Sequence, residues 1–271
     1  MQRCKGFIKT SAMIKFSQFF NSSIGKKLIM SMTGLFLCLF LIVHLGGNLT
    51  LFAGDEGYMF NIYAHFMTHF LPVEIISYGL YISILIHAFY ALILTVKNSQ
   101  ARPVKYAVAP KTPVKWASLN MGLLGSIIFL FLIIHMSNFW ARYKFMNGTY
   151  REYRKELLTG KLTSAVYEPV SPDFEYAVTT ENNVEIVRVK DLYAIVAHSF
   201  GLWWYSLLYL VAMVAVSYHL YHGFQSAFRT VGMVHKRYTP LIQSTGIWLF
   251  AVIIPLAFAS MPVVFYIKSL L

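Results

Sequence analysis

Charge is scarce in this chain. Only 13% of its 271 residues are charged and eleven are acidic, against 57% hydrophobic, whereas soluble domains carry roughly 25% charged and 45–50% apolar residues. With a mean hydropathy of +0.57, the chain reads as an integral membrane protein. Cysteine is also nearly missing. Cys4 and Cys38 have neither metal-ligand nor disulfide spacing, so they read as structural thiols. No internal repeat or low-complexity segment is evident. The net charge of +12 would suit nucleic acid, but the basic residues lie between apolar runs, where they report membrane orientation and contact with anionic lipid. Nucleic acid is therefore not an expected partner, and membrane lipid is.

What the chain has instead is long apolar runs. A span needs about 20 apolar residues to cross about 30 Å of hydrocarbon, and five stretches reach that length, near 28–52, 74–96, 116–140, 201–228 and 243–267. The expected fold is all-α, a bundle of five transmembrane helices. Residues 1–27, with IKTSAMIKFSQFF, alternate Lys with aromatic residues and Met. They lack a continuous apolar core and a small-residue cleavage site, and read as an interfacial amphipathic segment rather than a signal peptide. Lys and Arg cluster in three places: in this tail, between spans two and three (Lys97, Arg102, Lys105, Lys111, Lys115), and between spans four and five (Arg229, Lys236, Arg237). All three regions should be cytoplasmic. That puts the N-terminus inside and the C-terminus outside, and Asp55, Glu56 and Glu74 on the outer side. The 141–200 connection, with VEIVRV and the turn-like PVSPD, is expected to be an extracytoplasmic, strand-bearing excursion from the 28–267 transmembrane domain.

Four histidines interrupt the apolar runs: His44 in FLIVHLGGN, His87 in ILIHAFY, His135 in FLIIHMSNF and His219 in VSYHLYHG. Direction of travel converts position into depth. His44 and His135 fall in the outer half, roughly 8–10 Å beyond the bilayer centre, and His87 and His219 fall roughly 3–6 Å on the inner side. Any one of them reads simply as a hydrogen-bonded packing residue. Four, sorted by depth into two pairs from alternating spans, suggest something more. A buried imidazole without a partner costs a few kcal/mol, whereas two neutral imidazoles can ligate one iron from opposite sides. Two stacked bis-histidine b haems inside a four-helix core would explain the pattern. Gly34, Gly46, Gly47, Gly122, Gly125 and Gly223 accompany these positions, as packing residues or as room for a porphyrin. By depth, Ser31, Lys26, Lys27, Lys97, Trp116 and Arg229 could meet the propionates of the inner haem. His222, three residues after His219, stands on nearly the same helix face and competes with it as ligand.

The ordered set SMTGLFLCLFLIVHLGGN, SILIHAFYALI, FLFLIIHMSNF and AVSYHLYHGFQSAF, followed by a fifth span, resembles the dihaem cytochrome b membrane anchor of succinate dehydrogenase and fumarate reductase. The resemblance covers roughly residues 25–267 but not the excursion. It implies that His44 and His135 hold a distal haem, and that His87 and His219 hold a proximal haem nearer the cytoplasm. It further implies a bacterial cytoplasmic membrane, menaquinone as substrate, and two partners, a flavoprotein subunit with FAD and an iron–sulfur subunit with its clusters. The dicarboxylate chemistry would belong to those partners, since this chain carries no flavin or iron–sulfur motif.

Quinone chemistry also moves protons, and DEGYMFNIYAHFMTHFLPVE supplies titratable groups on the outer side. Glu56 matches an acidic residue that serves quinol oxidation in one branch of the family; His65 and His69 are further quinone-site candidates. One departure is Ser217, which stands where some fumarate reductases of the family carry a Glu assisting transmembrane proton movement, so that route is not expected. His198 and His235 read as ordinary interfacial residues. Two rivals remain at this level. One is the dihaem anchor of a hydrogenase or formate dehydrogenase, distinguished by its partner subunits. The other is a haem-free transporter or channel, which predicts no Soret band.

Overall fold

In hydrocarbon, each backbone N–H and C=O must be satisfied within its own segment, so apolar runs of this length become helices. The computed structural model of the protein describes residues 16–101, 113–146, 148–171 and 174–271. Most of the expected amphipathic tail, residues 1–15, lies outside the described residues; α1 (Phe16–Asn21) is its described end. The next helix, α2 (Ser23–Leu49), continues through a 3₁₀ turn, Thr50–Phe52. It is followed by α3 (Tyr58–His69), α4 (Leu71–Gln100) and α5 (Pro113–Leu119). Then α6 (Met121–His135) passes through a π-helical segment, Met136–Ala141, into α7 (Arg142–Phe145). After the excursion come α8 (Leu192–Gly201), α9 (Trp203–Thr230) and α10 (Thr239–Thr245). A second π segment, Gly246–Ile253, leads into α11 (Ile254–Leu270).

Among the described residues, five helices are long and apolar enough to cross a membrane: Ser23–Phe52, Leu71–Gln100, Met121–Phe145, Trp203–Thr230 and Thr239–Leu270. Their ends differ from the hydropathy reading for local reasons. Ser22 caps α2 by accepting from the Gly25 N–H at 2.9 Å, which starts the helix before Lys26 and Lys27. Asn120 leaves helical geometry, at φ −104° and ψ 14°, and separates α5 from the third span.

Helices α2, α4, α6 and α9 form a closed ring, each packing on the next, with α11 and its π segment outside against α9. The excursion adds a four-stranded antiparallel sheet to the helical bundle, in the order β2-β1-β4-β3. Its strands are β1 (Tyr150–Glu156), β2 (Leu162–Tyr167), β3 (Tyr176–Glu181) and β4 (Val184–Lys190). The β3–β4 hairpin turns on Asn182 and Asn183, at φ 50° and 63°, the left-handed pair a two-residue turn between right-twisted strands requires. Period-two alternation puts Tyr153, Val187 and Val189 on one buried face, against Tyr58 and Ile62 of α3.

A fully buried amide joins sheet to bundle. Asn61 of α3 donates through Nδ2 to the Tyr153 hydroxyl and to Asp191 Oδ1, both at 2.9 Å, and its Oδ1 accepts from the Tyr193 N–H at 2.9 Å. Asp191 also caps α8 through the Ala194 N–H at 3.0 Å and pairs with Arg151 Nε at 2.7 Å. Gly57, at φ +87°, lies against the Tyr193 ring where a Cβ would collide, so the turn entering α3 requires glycine. Asn61→Ala strands buried donors and acceptors at a cost of about 3 kcal/mol. Limited proteolysis in detergent is expected to cut the variant within residues 141–200 much faster than the parent chain, with the spans still protected.

Candidate functional site

The ring of four helices has two diagonals, and an imidazole pair lies on each. His44 of α2 faces His135 at the end of α6, with ring centres 5.8 Å apart and planes at 87°. His87 of α4 faces His219 of α9, at 6.2 Å and 60°. It is thus His219, rather than His222, whose ring meets His87.

Three helices give the same spacing between the two levels. Gly34 adjoins His87 and precedes His44 by ten residues; Gly125 adjoins His219 and precedes His135 by ten; Tyr209 bonds to His135 and precedes His219 by ten. Ten residues of α-helix rise about 15 Å. The His44–His135 pair lies toward the sheet, and the His87–His219 pair toward the opposite end.

The Nδ1 atoms have individual surroundings. Thr33 Oγ1 donates to the Ile29 carbonyl at 2.8 Å and lies 3.1 Å from His87 Nδ1. His135 Nδ1 lies 3.0 Å from the Tyr209 hydroxyl. The Asn48 amide nitrogen stands 3.4 Å from His44 Nδ1, at the outer limit of a hydrogen bond. His219 Nδ1 is buried without a partner. Apolar rings enclose the pair nearer the sheet: Phe40 stacks on His44 at 5.0 Å, Phe258 lies 5.6 Å from it, and Phe131 and Phe139 flank His135 at 5.7 and 5.4 Å.

This arrangement suits one kind of metal site. With metal–imidazole bonds of about 2.0 Å, and about 1.1 Å more from nitrogen to ring centre, imidazoles on opposite sides of one metal have centres roughly 6.2 Å apart. Both pairs lie near that value. Among the described residues no group of three or more His, Cys, Asp or Glu side chains gathers as for a metal ion, so a metal held by either pair would need its remaining donors from outside these side chains, as a macrocycle supplies them. A haem meets that requirement. Gly34 leaves room for the His87 imidazole, since a Cβ there would stand 3.3 Å from His87 Cε1.

The other sequence candidates are more dispersed. Ser31 is buried and donates to the Lys27 carbonyl at 2.9 Å. The Lys26 and Lys97 side chains meet, and no carboxylate pairs with either among the described residues. Trp116 packs edge-on to Tyr218 at 5.3 Å, and Arg229 is exposed in the last turn of α9. Glu56, at φ 54°, turns toward the sheet. Its carboxylate accepts from Ser164 and lies 3.8 Å from Arg151 Nη1, and its carbonyl accepts from Tyr153. His65 is stacked between His69 at 4.1 Å and Tyr176 at 4.2 Å. Burial, then the neighbouring His69, lowers the His65 imidazole below its usual value, with Glu175 acting the other way. His69 Nδ1–H donates to the His65 carbonyl at 2.8 Å, and its Nε2 lies 3.3 Å from Glu175.

Sequence reasoning missed Thr33 and Tyr209. The signal available was spacing: Tyr209 stands ten residues before His219, as Gly34 stands before His44 and Gly125 before His135. No family model, curated protein or solved structure matches this chain.

Proposed function

We propose that this chain is the dihaem cytochrome b membrane anchor of a succinate:menaquinone oxidoreductase or fumarate reductase. The observation that carries the reading is the pair of opposed imidazoles on each diagonal of the helix ring, at 5.8 and 6.2 Å, two levels about 15 Å apart. His44 and His135 would hold one b haem, and His87 and His219 the other. Bound haem supplies a one-electron carrier at each level. The protein's part would be to hold the two carriers in line across the bilayer, and to exclude water from the sheet-side one with Phe40, Phe131, Phe139 and Phe258. With Nε2 ligating, Thr33 and Tyr209 would accept from the Nδ1–H of His87 and His135 and hold each ring in orientation.

The end bearing Lys26, Lys27, Lys97, Arg229, Lys236 and Arg237 would face the cytoplasm and receive the flavoprotein and iron–sulfur subunits, which carry the dicarboxylate chemistry. Menaquinone would react toward the sheet end. Glu56 is tied to Arg151 and Ser164 there, and His65 and His69 form a stacked, half-exposed titratable group beside Glu175. Ser217 donates to the Ala251 carbonyl in the second π segment, so it serves packing and offers no carboxylate for proton movement.

Replacement of either member of a pair by alanine removes the same haem: His44→Ala and His135→Ala deplete one component in redox-titrated spectra, and His87→Ala and His219→Ala the other. Joint depletion by His44→Ala and His87→Ala would refute the pairing. Gly34→Val pushes on His87 and is expected to lose the inner haem while the other is retained, read by the same titration. Purification from the native membrane is expected to bring a flavoprotein and an iron–sulfur protein in equal amount; a hydrogenase or formate dehydrogenase subunit in their place would move the assignment to that class.

A further inference from the structure

A chain of hydrogen bonds runs from the sheet end of the bundle to one of the four imidazoles, and haem ligation alone does not call for it. Asn138 Nδ2 donates to Ser199 Oγ of α8 at 2.9 Å and to the Tyr205 hydroxyl at 3.0 Å. The Tyr205 and Tyr209 hydroxyls are 3.3 Å apart, and Tyr209 lies 3.0 Å from His135 Nδ1. Ser199, Tyr205 and Tyr209 are all buried, within a cluster otherwise made of Leu51, Phe60, Val196, Phe200, Met261 and Phe265. Polar groups there are costly unless paired.

Local structure explains how the chain forms. His135 and Asn138 are three residues apart, Tyr205 and Tyr209 four, so each pair presents one helix face and the two faces meet as two rungs. The π-helical segment Met136–Ala141 begins immediately after His135 and carries Asn138; such segments widen a helix by one residue and frequently mark functional positions. Ser199 is held in turn, because α8 is capped by Asp191, which Asn61 and Arg151 bind.

We infer that Tyr209 is the positioning residue of His135 and sets the reduction potential of the haem on that side, an inference that rests on the dihaem reading. A histidine that ligates through Nε2 carries its proton on Nδ1, so Nδ1–H donates to the Tyr209 oxygen. The Tyr209 hydroxyl then donates to Tyr205, whose oxygen also accepts from Asn138, an amide nitrogen that can only donate. An acceptor on Nδ1–H makes the ligand imidazole more basic. A more basic ligand favours the oxidised, more highly charged iron and holds the potential down.

Tyr209→Phe removes only the oxygen and keeps the ring contacts with Phe131 and Phe200, at 4.8 and 4.9 Å. In a redox titration of the purified complex, the midpoint of the haem lost in His135→Ala is expected to move to higher potential, with the other midpoint unchanged and both haems retained. Tyr205→Phe leaves the Tyr209 oxygen in place and is expected to move the same midpoint in the same direction by less; this variant decides the matter where Tyr209→Phe loses haem. Two haems with unaltered midpoints in both variants would overturn the role of Tyr209 and leave the dihaem reading intact. A parent protein without haem would overturn the dihaem reading itself.

Discussion

An imidazole inside an apolar span is costly where a ring nitrogen has no partner; His87 and His135 find one at Nδ1, and His219 Nδ1 finds none. Four helices supply one histidine each to the bundle interior, and the ring order α2, α4, α6, α9 turns sequence neighbours into spatial neighbours and alternate spans into diagonals. Each histidine therefore meets the one two spans away. Glycine at Gly34 leaves His87 its place, and a hydroxyl at Thr33 or Tyr209 meets Nδ1 of His87 or His135.

The two ends of the bundle are built differently. Toward the sheet, Asn61, Asp191, Arg151 and Tyr153 form a buried network that holds α3, α8 and the strands together, and the hydrogen-bonded chain through Ser199, Asn138, Tyr205 and Tyr209 continues from it to His135. The excursion is thus mechanically continuous with the site. At the other end Lys26 and Lys97 lie together, and among the described residues no carboxylate pairs with either. The surroundings of the two imidazole pairs differ in hydrogen bonding: His135 meets Tyr209 and His87 meets Thr33, whereas His219 Nδ1 has no partner.

The five spans and the two levels were legible because both depend on length and direction alone: apolar runs of about 20 residues must be helical across a bilayer, and antiparallel helices convert position into depth. Span ends were less legible, since Ser22 and Asn120 act through local capping and geometry that hydropathy does not register. The strand-bearing excursion was visible in VEIVRV, but its order and its docking through Asn61 were not, because an isolated asparagine gives no sign of its three partners. Glu56 shows the same limit: its acidity was readable, whereas its left-handed backbone and its turn toward Arg151 and Ser164 were not. Thr33 escaped notice because a threonine in an apolar helix usually bonds to its own backbone, as it also does here, and Tyr209 because a lone tyrosine in such a run gives no sign of the histidine it faces.

The central claim is that the opposed imidazoles hold two haems. The most direct measurement is the pyridine haemochrome content of the purified protein per chain, with low-temperature electron paramagnetic resonance of the oxidised sample. The account predicts two b haems per chain, both low-spin with two nitrogen axial ligands. Protein that is folded, extracted from its native membrane, and carries no haem would contradict it.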